Sequence, residues 1–130
     1  MAPMNTYTTR LSIALLLALV TVTAGCGQGT TQQGTLYSVG INQSLSCYIS
    51  DNIDAVHKAA LESVKDAGYT VDNEAIDSRE AIVEGRTALD KTVRIKSFKQ
   101  GEKVTRLEVY VAGNEEAAKD LLNAIEKATD

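Results

Sequence analysis

From residue 35 onward, apolar and polar positions recur with strand and helix periods in turn. Leu36–Val39 and Ser44–Ile49 read as extended segments, with Gly40-Ile-Asn-Gln-Ser44 as a turn between them. Ile53, Val56, Ala60, Val64 and Ala67 then return every three or four residues, the spacing of one helix face. Asp51 is the expected N-cap, Asp54 places negative charge at the positive helix end, and Gly68 is the expected stop. Tyr69–Ile76 and Ala81–Arg86 read as strands around Asp77-Ser-Arg-Glu80, with a bulge expected at Gly85. Lys91–Phe98 and Lys103–Val111 form a predicted hairpin around Gln100-Gly101-Glu102. Asn114 should cap a final helix whose buried stripe is Ala118, Leu121, Leu122 and Ile125.

The order strand–helix–strands–helix predicts an α+β fold, a mainly antiparallel sheet with two helices packed on one face. The opposite sheet face is expected to be wet, because alternation aims Arg94, Lys96, Arg106, Glu108 and Tyr110 away from the helices.

The N-terminal pattern is different. Leu11–Val22 is one apolar run of signal-peptide length, preceded by Arg10 and no acid. It ends at Ala24-Gly25-Cys26, which looks like the lipobox of a bacterial lipoprotein, with Thr23 where Leu is usual. This predicts a signal peptide over 1–25, a lipidated Cys26 opening a flexible linker over 26–34, and one domain over 35–130. Ordinary secretory cleavage after Ala24 or Gly25 is the alternative. Gly27 follows the cysteine where Asp would resemble an inner-membrane retention signal. In a Gram-negative host, the expected address is therefore the outer membrane, facing the periplasm.

Charge and composition narrow the functions. Residues 1–25 contain a single charged side chain, Arg10, so their removal leaves 12 basic against 17 acidic residues, a net charge of −5. Such a chain is a poor nucleic-acid partner. Cys47 falls between Leu45 and Ile49 and is expected to be a buried, inert thiol, a reactive or intermolecular cysteine being the minor reading. A Cys26–Cys47 disulfide is open only without lipidation. With one histidine, His57, and no cysteine pair, no ordinary zinc site can be assembled, and no metal or cofactor is expected. Asp51-Asn-Ile-Asp54 lacks the remaining ligands of a calcium loop. Asp72, Glu74, Asp77, Glu80 and Glu84 could pair as catalytic carboxylates, but read better as solvated charges at strand ends. Nucleophile-elbow and phosphate-loop motifs are absent from the sequence.

The chain resembles a family of small bacterial lipoproteins known only as a domain of unknown function. The resemblance rests on Ala24-Gly-Cys26, Val64-Lys-Asp-Ala-Gly-Tyr69, Ala81-Ile-Val-Glu-Gly-Arg86, Asp90-Lys-Thr-Val-Arg-Ile95 and Val104–Glu115. It implies an envelope lipoprotein with an α+β domain and brings no catalytic residues with it. The topology also looks like the helix-grip domains of an outer-membrane β-barrel assembly lipoprotein, a likeness of architecture only. The expected function is noncatalytic: a membrane-tethered module that binds another envelope protein through the solvent-facing sheet, with Arg94, Lys96, Arg106 and Tyr110, or through an edge strand. A small-ligand site between the first helix and the sheet, near His57 and Tyr69, is the alternative. An envelope hydrolase using His57 ranks last.

Overall fold

A computed structural model describes residues 27–129. Cys26 and the segment over 1–25, predicted to be a signal peptide, lie outside the described residues. The elements are β1 (Gln28–Thr30), β2 (Leu36–Val39), β3 (Leu45–Ile49), α1 (Ile53–Asp66), β4 (Thr70–Ile76), β5 (Glu80–Arg86), β6 (Thr92–Gly101), β7 (Val104–Val111) and α2 (Glu115–Ala128). The seven strands form one sheet in the order β1-β2-β3-β7-β6-β5-β4, and every neighbouring pair is antiparallel. Both helices pack on one face, α1 over β4–β7 and α2 over β3 and β7, and they also touch each other. The α+β fold read from the sequence is the fold of the protein.

Strict alternation builds the core. Thr105, Leu107, Val109 and Val111 of β7 are buried, as are Val93, Ile95 and Ser97 of β6 and Leu45, Cys47 and Ile49 of β3. Val56, Ala60 and Val64 from α1 and Leu121, Leu122 and Ile125 from α2 close over them. Burying one such aliphatic side chain is worth roughly 1.5–3 kcal/mol, so the central strands carry most of the stability. The buried Thr105 hydroxyl in this layer is satisfied by donating to the Asp51 carbonyl at 2.9 Å.

The helix ends obey capping chemistry with one shift. Asn52, not Asp51, caps α1, its side chain accepting from the Ala55 amide at 2.8 Å. Asp51 instead accepts from the Asn52 amide. Gly68, at φ +82°, ends α1, and the Tyr69 amide reaches back to the Val64 carbonyl. Ala67, expected on the buried stripe, is exposed because it already lies in this terminus. Asn114 caps α2 as expected.

Two further expectations are corrected. The bulge lies on β4, between Val71 and Asn73, and Gly85 is its partner. A Cβ on Gly85 would stand 2.1 Å from the Thr70 carbonyl oxygen, so glycine is required by the closeness of the bulged strand. The polar stretch after position 26 is not a free linker. Gln28–Thr30 pair with β2, Thr31 is buried, and the Gln32 amide donates to Asn123 of α2 at 3.0 Å. The physical reason is a turn repeated three times. In Thr31–Thr35, Gly40–Ser44 and Thr87–Lys91, the first amide donates to the last carbonyl, and the fourth amide donates to the first carbonyl. The fourth residues, Gly34, Gln43 and Asp90, all adopt positive φ.

Candidate functional site

The helix-free face of the sheet carries the residues expected there. Across β7 and β6, Tyr110 stands opposite Arg94, Glu108 opposite Lys96, and Arg106 opposite Phe98. Each partner sits on the outward side of its pair because its neighbours, such as Val109 and Ile95, point into the core. Ser46 and Tyr48 of β3 extend the same rows beyond β7.

The four site residues do not form one cluster. Arg94, Lys96 and Tyr110, with Glu108, line a small hollow of about 60 Å³, completed by Asn42 and Ser44 from the β2–β3 turn. The Asn42 side chain is locked by accepting from both the Ser44 hydroxyl and its amide. Arg106 belongs to a separate arrangement. It donates to Glu108 and lies 4.3 Å from the centre of the Phe98 ring, a cation–π contact. Glu108 is thereby committed to Arg106. Among the described residues Arg94 and Lys96 form no ion pair, although Glu84 faces Arg94 across β5 and β6. Two unpaired cations beside a phenol and two small polar side chains can hold a carboxylate or phosphate, through charge-assisted hydrogen bonds.

The other titratable groups are dispersed. His57 is buried in α1, and its Nε2 lies 2.6 Å from Glu74 on β4, a link between the helix and the outer strand. Arg86 holds Asp72 by two hydrogen bonds, at 2.8 and 3.1 Å, and Asp90 by a third at 2.8 Å. Asp77 accepts the amides of Arg79 and Glu80, which lowers its carboxyl below the usual range. Of the carboxylates that could have paired for catalysis, Asp72, Glu74 and Asp77 are thus each engaged in a separate local structure. No group of three or more possible metal ligands gathers among the described residues. The Cys47 thiol is pushed up to about 12, first by burial and then by the negative charge of Glu126.

Sequence reasoning missed Asn42, Ser44, Tyr48, Phe98 and Glu126. The parity of Tyr48 and Phe98 against Cys47 and Ser97 could have placed both outside, since each buried neighbour implies an exposed one. Glu126 carried no such signal. It is buried at the end of α2, where Oε1 accepts from the Thr35 hydroxyl at 2.7 Å and Oε2 has no hydrogen-bond partner among the described residues. An open hollow beside it is lined by Gln33, Thr35, Tyr48, Ile49, Ser50 and Thr129. His57 and Tyr69 line none of the four hollows described for this surface. No described helix is long and apolar enough to cross a membrane.

Among curated proteins, no match to the chain was found. The family of proteins of unknown function DUF3568 matches over residues 10–128, nearly the whole chain, and the protein belongs to that family.

Proposed function

We propose that this is a noncatalytic, lipid-anchored envelope protein that docks an acidic segment of another envelope component on the helix-free sheet face. The observation that carries the docking surface is the pair Arg94 and Lys96, without ion-pair partners among the described residues, beside Tyr110, Asn42 and Ser44. The apolar run ending at Ala24-Gly25-Cys26 supports the anchor. Two or three acyl chains hold a protein at a bilayer stably, where one holds it only marginally. Tethering raises the local concentration of both components, so a shallow, weak contact is enough to be occupied.

Photo-crosslinking in intact cells tests this reading, with probes placed singly at Ser44, Tyr110 and, as a buried control, His57. The expected result is a discrete heavier band from the first two positions, weakened strongly by Arg94→Glu with Lys96→Glu and preserved by Arg94→Lys. A band indifferent to charge reversal, or no band from either sheet-face position, overturns the docking surface.

A further inference from the structure

We propose that one end of the sheet, the end where the chain enters it, rests on the lipid bilayer through Ile41 and Leu89. The inference rests on the lipid-anchor reading and goes beyond it, because an anchor on a long flexible linker would leave every face of the domain free. Here the linker is missing. The Gly27 carbonyl already accepts from the Val39 amide at 2.7 Å, and β1 begins at the next residue. One peptide unit, about 3.8 Å between Cα atoms, separates position 26 from Gly27. A lipid on Cys26 therefore holds this end of the sheet at the membrane surface.

The register shows what else lies there. Gln28 pairs with Ser38, so β1 starts beside the β2–β3 turn. Leu45, Val109, Ile95 and Val83 are aligned across β3, β7, β6 and β5, and Arg86 pairs with Thr92 and with Thr70. The connections over 40–44, 67–69, 87–91 and 112–114 consequently share the end that carries Gly27. Together they contain one acid and one base, Asp90 and Lys91, and Asp90 is engaged by Arg86. At the other end the 31–35 connection is also uncharged, but the β4–β5 connection carries Asp77 and Arg79 and the β6–β7 connection Glu102 and Lys103.

Ile41 and Leu89 are the most exposed large apolar side chains described, Ile41 fully and Leu89 to 82%. Each is carried on the same tight turn, Ile41 second and Leu89 third in its five residues, with the left-handed residue, Gln43 or Asp90, after it. Val104, Ile76 and Leu36 are exposed as well but lie toward the far end, so exposure alone does not choose the side. The attachment point and the uncharged turns do. With Glu115 and Glu116 opening α2 just behind, the contact is apolar, with no call for anionic lipid.

The sequence contains no tryptophan, so single Ile41→Trp, Leu89→Trp and Val104→Trp substitutions give clean reporters at exposed positions. The full-length protein, purified from membranes in detergent, is reconstituted into phosphatidylcholine vesicles with and without brominated acyl chains. The expected result is blue-shifted emission and loss of intensity to bromine at positions 41 and 89, and neither at 104. Flotation with the vesicles is scored in the same samples. Protein that fails to float removes the anchor, and this inference with it. Protein that floats with positions 41 and 89 unquenched, or with all three quenched alike, overturns the membrane-facing end while leaving the anchor standing.

Discussion

The β6–β7 hairpin and the β1–β2 hairpin are built from the same backbone hydrogen bonds and held in place by different forces. In β6 and β7 every second side chain, from Val93 to Ser97 and from Thr105 to Val111, is buried under a helix. In β1 and β2 only Tyr37 is buried, and it lies over Gly29, where a Cβ would stand 2.3 Å from the ring. The first hairpin is secured by apolar area. The second depends on a glycine, a left-handed Gly34 and contacts to α2 such as Gln32 with Asn123. Apolar burial scales with area and tolerates small shifts, whereas a hairpin that hangs on one close approach fails locally when that approach is blocked.

Perturbations of the two hairpins should separate cleanly. Leu107→Ala, at a fully buried position, is expected to destabilise the whole domain by about 2–5 kcal/mol, read as a shifted midpoint in urea unfolding. A loss below about 1 kcal/mol would mean that the β7 core is not the stabilising layer. Gly29→Ala should cost less, about 1–3 kcal/mol, because the Tyr37 ring must move. Its signature is local: hydrogen exchange rises at the Val39 amide, which donates to Gly27, and stays slow in β7. Equal acceleration in both places would erase the distinction drawn here.

A pH-dependent effect lies between the hairpins, at Cys47 on β3. Its folded pKa is raised, so the neutral thiol favours folding fully below the unfolded value near 9.0. That contribution is lost as the pH climbs from there toward about 12. Stability measured over this range should therefore fall less steeply in Cys47→Ala than in the parent. Identical slopes would show that the thiol does not titrate with unfolding. At neutral pH a thiol reagent should label Cys47 only at the rate at which the sheet opens. The smallest effect is expected outside the core, where Arg94→Glu should change the unfolding midpoint by no more than about 0.5 kcal/mol. A larger loss would mean that the outer face is a structural surface.

Legibility in the sequence followed the same division. β6, β7, both helices and the outward set Arg94, Lys96, Arg106 and Tyr110 could be placed from alternation and three-to-four spacing, because each of these elements covers a core and must show its period. β1 could not, because a three-residue strand at the sheet edge buries almost nothing, and its Gly-Gln-Thr composition matches a linker as well as a turn. The cap moved from Asp51 to Asn52 because both side chains can accept an amide, and only the path of the chain out of β3 selects between them. The bulge moved from Gly85 to its partner strand for a related reason: glycine marked a close approach without saying which strand was displaced.

The sequence by itself determined the α+β layering, the two helix faces and the outward direction of the charged strand residues, since local period dictates which side of an element meets water. Tertiary structure alone decided that Arg106 leaves Arg94 and Lys96 by engaging Glu108 and Phe98, that Glu126 is buried beside Thr35, and that Gly27 enters the sheet at the end bearing Ile41 and Leu89. Apart from Arg106 with Glu108, two positions apart on one strand, these are relations between different elements of the fold. Sheet order and register create them, and neither is encoded in the period of any one segment.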